Sequence, residues 1–244
     1  MVDYALLTNV GDREVNEDCV GMIEVNGRYC FILCDGLGGH DKGEVASQMV
    51  VESIKSDFSS HNGREEDIAE YMRSAQTRLL SKQREMNEIE GMKTTAVVLC
   101  LNEYYARYTH IGDSRGYYFF KQKYKNHTLD HSVPQMLVSA HKIKDKDIRN
   151  HPDRNRVLKV MGTEWEADSF EVGKAIARKS GKNQAFLMCT DGFWELICEE
   201  DMVDCLKKSR SAKEWLGYMQ DIVMQNGTGR NMDNYSAIAV ITED

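Results

Sequence analysis

Proline is nearly missing from this chain, with 2 in 244 residues, and no apolar run approaches the roughly 20 residues that a membrane helix needs. The N-terminus, MVDYALLTNVGD, has no basic segment followed by a long apolar stretch, so neither a leader nor a membrane anchor is expected there. An excess of basic charge is also missing: 31 Lys and Arg stand against 39 Asp and Glu, for a net charge of -8. That balance disfavours a non-specific grip on nucleic acid or on an anionic membrane, while leaving a local basic groove open. Disulfide-like and C-x-x-C spacings are absent. The seven cysteines are odd in number, and Cys30, Cys34, Cys100 and Cys189 lie inside apolar runs. They read as reduced, buried thiols of a cytoplasmic protein. His127 and His131 have the separation of a helical metal pair, but Thr128-Leu129-Asp130 reads as a strand end entering a loop, so they are not expected to be ligands. With no repeat, low-complexity tract or linker, and with 41% hydrophobic content, residues 1–244 are expected to form one domain.

What the chain does have is a recurring arrangement of aspartates. Three apolar runs end in an aspartate beside a glycine: Phe31 to Cys34 before Asp35-Gly36, Tyr108 to Ile111 before Gly112-Asp113, and Phe186 to Thr190 before Asp191-Gly192. A fourth, Asp233, stands just ahead of the last apolar run, Ser236 to Val240. Carboxylates at the ends of buried strands are costly unless something cationic meets them. Hard divalent cations bound through oxygen answer that need, and a neighbouring glycine lets a backbone carbonyl approach closely. Each motif alone passes for an ordinary turn. Four together point to a metal-dependent enzyme.

The patterning predicts the scaffold. Cys19 to Val25 and Arg28 to Cys34 flank Asn26-Gly27, a two-residue hairpin signal. Val45, Met49, Val50, Ile54 and Phe58 predict one helix and Ile68, Met72, Ala75, Leu79 and Met86 a second, joined through Ser59 to Gly63. Thr94 to Leu101 and Tyr104 to Ile111 make a second hairpin; Gly116 to Phe120 and a lysine-rich turn, Lys121 to Lys125, lead to a further strand. From Ser132 to about Glu164 polar residues dominate and both prolines occur, which reads as a mobile excursion that adds little to a core. A strand at Trp165 to Phe170, another at Ala185 to Cys189 and short helices from Phe193 to Lys208 follow. The last helix, Ser211 to Gln225, opens on Ser211-x-x-Glu214, a capping box. Hairpin strands with two helical pairs indicate an α+β protein with antiparallel sheets.

Two segments carry further chemistry. In Gly11-Asp12-Arg13-Glu14-Val15-Asn16-Glu17-Asp18, Arg13 is able to hold a phosphate bidentately, and Glu17 and Asp18 a cation, directly or through its waters. As a segment of mixed charge beside a turn, it also fits a solvated surface. Asp35-Gly36-Leu37-Gly38-Gly39-His40 lies between a strand and a helix, but its glycines match neither nucleotide-loop spacing, and Asp35 would repel phosphate unless a metal intervened.

Taken together, Arg13-x-x-Asn16-Glu17-Asp18, Asp35-Gly36-x-Gly38-Gly39-His40 with Gly43-Glu44-x-Ala46-Ser47, Thr94-Thr95, Gly112-Asp113-Ser114-Arg115, Asp130-His131-Ser132, Thr190-Asp191-Gly192 and Asp233-Asn234 resemble the metal-dependent protein phosphatase 2C family in its compact bacterial form. The match runs in order along essentially the whole chain. The resemblance implies a four-layer α-β-β-α sandwich with the metal site at one edge, and hydrolysis of phosphoserine and phosphothreonine in proteins. It implies that Asp35, Asp191 and Asp233 hold one Mg²⁺ or Mn²⁺ and that Glu17, Asp35 and the Gly36 carbonyl hold a second. Asp113 with Asp191 would hold a third, weaker ion. Arg13 would bind the phosphate, and a hydroxide shared by the two core ions would attack phosphorus directly. The expected partners are phosphoproteins made by a cognate serine/threonine kinase, acted on by a monomer.

Leu37 departs from the many eukaryotic members that carry histidine there as a proton donor, which makes His40 a substitute donor or a substrate contact. The 132–164 segment corresponds to the family's flap and is the least standard stretch. Two rival readings are a phosphatase-like regulatory protein, which would usually lack a metal carboxylate, and a magnesium-dependent nucleotide hydrolase, which would need a base- or ribose-binding segment that is not found.

Overall fold

The computed structural model describes residues 2–38, 42–87, 91–165, 167–178 and 184–242. Its first element is one that the patterning above passes over. Strand β1 (Val2–Asn9) turns Ala5 and Leu7 inward and leaves Tyr4 and Leu6 exposed. With apolar residues on both faces, its period of two is masked in the sequence. It pairs along its whole length with the last strand, β12 (Tyr235–Thr242), so the two ends of the chain meet.

Strands β2 (Asp18–Val25) and β3 (Arg28–Leu37) form the expected hairpin, with Asn26 and Gly27 both at positive φ, as a tight two-residue turn requires. Helices α1 (Lys42–Ser60) and α2 (Ile68–Met86) follow. The predicted strand from Thr94 to Leu101 is split: β4 (Lys93–Thr94) pairs with the end of β3, and β5 (Ala96–Leu101) runs beside β3 and β6 (Tyr105–Ile111). Strands β7 (Arg115–Phe120) and β8 (Tyr124–His127) meet across a turn at Lys121 and Gln122, shorter than the lysine-rich stretch suggests.

Beyond the flap, residues Trp165 to Phe170 do not form the expected strand among the described positions; extended pairing is confined to β9 (Glu171–Val172) and β10 (Ile176–Ala177). Trp165 and Phe170 instead pack together against the core beside α2, with the Trp165 indole N–H donating to the Val160 carbonyl. Strand β11 (Gln184–Cys189), helices α4 (Asp191–Trp194) and α5 (Glu199–Lys208), and α6 (Ala212–Gly227) complete the chain. Ser211 caps α6 by accepting from the Glu214 N–H, while the Glu214 carboxylate accepts from the Arg210 N–H.

All strand pairings are antiparallel, and they build two sheets, one ordered β1-β12-β11-β7-β8 and the other running β10-β6-β5-β3-β2 with β4 and β9 at its margins. Alternation along the central strands sorts side chains into three apolar layers. Cys30, Ile32 and Cys34 of β3 face α1 and α2, while Phe31 and Leu33 face the opposite sheet. On β11, Phe186 and Met188 meet them from that sheet, while Leu187 and Cys189 face α5 and α6. This is the α-β-β-α sandwich; its central strands read as unbroken apolar runs because both faces are covered.

The 132–164 segment departs from expectation. It contains α3 (Val133–Ser139) and a 3₁₀ stretch at Asp145–Asn150, and it is tied into the core at both ends. Ile148 is buried in the layer under α5 and α6, and Met161 in the layer under α1 and α2. Arg149 donates to the Trp194 carbonyl and pairs with Glu199 at 2.6 Å. A composition averaged over 33 positions hides the few apolar residues that land where a core needs them.

One buried ion pair holds this side of the sandwich. Arg115 makes two parallel hydrogen bonds to Asp130, at 2.8 and 2.7 Å, with both side chains essentially solvent-free, and its guanidinium lies 3.6 Å from the centre of the Trp194 ring. Removing one charge strands the other in a dry interior. Asp130→Asn is therefore expected to cost about 3 kcal/mol or more of unfolding free energy in urea titrations, and the double change Arg115→Met with Asp130→Leu to cost less than the single one. A loss below about 1 kcal/mol for the single variant would contradict the assignment of a structural role.

Candidate metal and phosphate site

The ends of β3 and β11, the β6–β7 turn and the approach to β12 converge on a cleft of about 400 Å³. Glu17, Asp35, Asp113, Asp191 and Asp233 line it, together with Glu14, the Gly36 and Gly38 backbone, Leu37 and Asn234. Among the described residues Arg13 is the one guanidinium along its wall, and no lysine lines it. The sequence-predicted residues are thus brought together, with two exceptions. Asp18 does not line the cleft but lies beneath it, as the cross-strand partner of Asp35. His40 lies outside the described residues.

Each carboxylate is placed by backbone that is itself held in place. Asp35 is gripped by two threonines: its N–H donates to the Thr95 hydroxyl, and its carbonyl accepts from the Thr94 hydroxyl at 2.9 Å and the Thr95 N–H at 2.8 Å. The Thr95 hydroxyl also bonds the Ser114 hydroxyl at 2.8 Å, tying Asp35 to the turn that carries Asp113. Gly36 has to be glycine, because a Cβ would sit 2.3 Å from the Gly43 carbonyl oxygen at the start of α1 and 2.6 Å from that of Glu17. Gly112, at φ +102°, is held by His131 twice, once through the His131 N–H donating to its carbonyl and once through its own N–H donating to Nδ1 of the ring.

Asn234 does for the N-terminal segment what the threonines do for Asp35. Its side-chain oxygen accepts from the Glu17 N–H, and its amide donates to the carbonyls of Val10 and Val15. One side chain therefore fixes the loop that presents Arg13 and Glu17 to the cleft. Arg13 itself donates to Asp233 at 2.9 Å, both groups being about half exposed, so it meets a carboxylate as well as the opening where an anion would enter. The expected phosphate contact of Arg13 remains compatible with this pairing, because five donors on one guanidinium allow both contacts.

The electrostatics are those of a site built for cations. Burial pushes Asp35 well above the ordinary carboxylate range, and the charges of Asp18, Asp191 and Asp113 push it further. Burial and then Asp191 do the same to Asp113. Asp191 rises to about 6, through burial and the charge of Asp233, against the N–H of Gly192. Asp18 rises to about 7, chiefly by burial; one of its oxygens accepts from the Thr190 hydroxyl, and the other is buried without a partner. All-oxygen donors and a glycine cradle at Gly36 fit hard divalent ions such as Mg²⁺ or Mn²⁺, and no cysteine or histidine among the described residues lines the cleft to favour zinc.

Histidine chemistry lies elsewhere. His131 pairs not with His127 but with His110, whose ring stacks parallel to it at 4.9 Å, and both lie near Glu171. Burial lowers both imidazoles, His131 to about 4, so both are neutral. The His131 Nδ1 accepts from Gly112, which leaves the proton on Nε2 facing Glu171, and the His110 Nε2 donates to the Leu129 carbonyl. These tautomers brace the Asp113 turn.

Four described residues of the cleft were given no role by the sequence reading. Asn155 and Val157 reach it from the flap, and Glu14 and Val15 from the Arg13 segment. The Val157–Ser132 bridge and the Leu158 N–H on the His131 carbonyl, pairings between distant positions, bring that part of the flap to the cleft.

A model of the family described as Protein phosphatase 2C matches residues 8–234. The serine/threonine phosphatase Stp of Listeria welshimeri is 31% identical over 212 residues, covering 83% of this chain and 81% of that protein. The crystal structure of the serine/threonine phosphatase Stp1 from Staphylococcus aureus superposes with a TM-score of 0.89 at 26% identity, over 100% of this chain and 96% of that one. The catalytic domain of the phosphatase PstP, in complex with two manganese ions, shares the fold with a TM-score of 0.84 at 22% identity, over 100% and 99% of the two chains.

Crowded carboxylates make a prediction about the metal-free protein. Because the folded-state values of Asp18 and Asp191 lie above the ordinary 3.8, stability is fully present below about pH 4 as far as these groups are concerned and is lost as pH rises through about 6 to 7. Thermal unfolding in chelator should show Tm falling over that interval. Millimolar Mn²⁺ should raise Tm more at pH 8 than at pH 5. Asp35→Asn, which removes one of the repelling charges, should raise Tm in chelator while abolishing the gain from Mn²⁺. A Tm in chelator that climbs between pH 5 and 8 would contradict this account.

Proposed function

The chain belongs to the protein phosphatase 2C family and is a metal-dependent serine/threonine protein phosphatase, and we propose that the carboxylate cleft is its catalytic centre, with roles distributed as follows. Asp35, Asp191 and Asp233 would hold one divalent ion, and Glu17, Asp35 and the Gly36 carbonyl the other. Asp113, with Asp191, would hold a third and weaker one. Asp18, one layer below, would reach a cation only through water. The observation that carries this reading is the convergence of six acidic residues on one cleft, faced by Arg13 alone among the described cationic side chains. When bound, Mg²⁺ or Mn²⁺ supplies a water-derived nucleophile at neutral pH and positive charge for the phosphoryl oxygens.

The chain's own residues do the rest. Arg13, at the mouth of the cleft, orients the phosphoryl group and stabilises the charge that builds on its oxygens, without giving up Asp233. The threonine grip on Asp35 and the Asn234 brace on the Glu17 loop keep the carboxylates in register against their mutual repulsion. Direct displacement needs no side-chain nucleophile, and no cysteine, serine or threonine side chain among the described residues lines the cleft. Leu37 does line it and offers no proton to a departing serine or threonine oxygen.

The substrates are phosphoproteins. The source of those substrates would be a serine/threonine kinase, and the protein would act as a single catalytic domain and as a monomer, since the cleft draws all its residues from one chain between Arg13 and Asn234. All seven cysteines are free, which supports a reducing, cytoplasmic setting, and no helix among the described residues is long and apolar enough to cross a membrane.

Phosphate release from a phosphothreonine peptide, with Mn²⁺ and after exhaustive chelation, and with ATP as competing substrate, tests the assignment. Turnover should require metal and ignore ATP. Asp35→Asn and Asp191→Asn should each remove nearly all turnover, and Asp113→Asn should act more mildly. Arg13→Ala should lower kcat/KM by about 2 kcal/mol of transition-state stabilisation, with metal affinity unchanged or tighter, because Asp233 loses a competitor. Activity that survives chelation, or Asp35→Asn at wild-type rate, would overturn the reading.

Leu37 yields a separate expectation. With no donor at that position, rates should depend steeply on leaving-group pKa across aryl and alkyl phosphates, and Leu37→His should flatten the dependence. A shallow slope in the wild type would mean that another group protonates the leaving oxygen.

A further inference from the structure

A smaller pocket of about 160 Å³ opens off the cleft and shares Arg13, Asn155, Asp191 and Asp233 with it. Its outer wall is formed by Arg154 of the flap and by Arg230 and Asn231, which lie between α6 and β12. Of its three arginines, two are engaged: Arg13 on Asp233, and Arg154 on Glu195 at 3.0 Å. Arg230 is exposed and has no side-chain partner among the described residues, while its backbone N–H is anchored on the Gly227 carbonyl. The acidic side chains of the pocket are accounted for, since Glu195 is paired with Arg154 and Asp233 with Arg13, and Asp191 and Asp233 would hold the cations of the loaded enzyme. The charge left without an answer is that of Arg230.

We propose that this pocket is a specificity subsite for the carboxylate of an aspartate or glutamate next to the phosphorylated residue of a protein substrate, and that Arg230 is the residue that reads it. The inference rests on the assignment of the adjoining cleft as the phosphoserine and phosphothreonine site. Size favours a single side chain, because small-molecule pockets run to roughly 300 Å³ and more, well above this volume. A guanidinium matches a carboxylate with two parallel hydrogen bonds, which an ammonium does not. Continuity with the cleft limits the occupant to a residue close in sequence to the phosphorylated one. The protein as a whole carries a net charge of -8 and repels acidic segments at long range, so a preference for them needs a local cation at the rim.

The test uses the Mn²⁺-loaded full chain and matched phosphothreonine peptides, one with Asp and Glu on both sides of the phosphorylated residue, one with Ala in those places, and one with a neighbouring phosphoserine in place of the carboxylates. The acidic peptide should exceed the alanine peptide in kcat/KM by about fivefold, the worth of one partly exposed ion pair, through a lower KM. The ratio should shrink as salt is raised, fall to one in Arg230→Ala and recover in part in Arg230→Lys. A ratio of one in the wild type, or equal losses on both peptides in Arg230→Ala, would overturn the proposal while leaving the phosphatase reading intact. A phosphoserine peptide that outcompetes the acidic one in an Arg230-dependent way would overturn the assignment to a carboxylate. Failure to hydrolyse any of the three would overturn this inference and the reading of the cleft together.

Discussion

Mutual repulsion among buried carboxylates is the constraint around which this molecule is organised. Asp35 is pushed far above its ordinary range first by burial and then by Asp18, Asp191 and Asp113, and each of those groups is displaced in the same direction. A fold that gathers such charges without cations opposes its own stability. The arrangement makes sense only as the framework of a centre completed by hard metal ions, for which the same crowding becomes affinity.

Apart from Arg13 on Asp233, the fold resists that repulsion with neutral hydrogen-bonding side chains rather than with counter-charges. Thr94 and Thr95 hold Asp35, Thr190 holds Asp18 beneath it, and Asn234 holds the loop of Glu17. Cationic partners in the same places would neutralise the ligands and compete with metal. The strong cation of this region, Arg115, is kept on the far side of the Asp113 turn and is fully occupied by Asp130. Trp194, stacked on that guanidinium, donates its indole N–H to the Asp113 carbonyl, so the ion pair supports the turn without reaching the cleft.

The flap is held by the same means. Gln83 of α2 donates to the carbonyls of Met92 and Gly162, and Gln76 both donates to the Thr163 carbonyl and accepts from the Gly162 N–H. Met161 and Thr94 exchange backbone hydrogen bonds. The returning end of the flap is thereby clamped to the segment that grips Asp35, and its other side brings Asn155 and Val157 into the cleft. Cleft-lining residues of the flap and cleft-lining carboxylates of the sheet share one scaffold, which also carries the arginine-walled side pocket.

Much of this was legible in the chain. Unbroken apolar runs ending in Asp-Gly identified the central strands and their carboxylates, because strands covered on both faces leave that pattern and charged strand ends stand out against it. Asn26-Gly27 and the Ser211 cap were readable as local signals. What stayed hidden depends on pairing between distant residues. Strand β1 carries apolar groups on both faces and is defined by β12; Trp165 to Phe170 looks like a strand but finds no sheet edge; and Ile148 and Met161 become core residues only where the layers meet them. The chain alone determined which carboxylates are candidates for metal chemistry, since residue type and spacing limit what a carboxylate at a strand end is able to do. Tertiary structure decided that Asp18 lies below the cleft, that Arg13 meets Asp233 and that Arg230 faces an open pocket, since those outcomes turn on contacts across 17, 220 and more than 75 residues of separation, respectively, which no local pattern encodes.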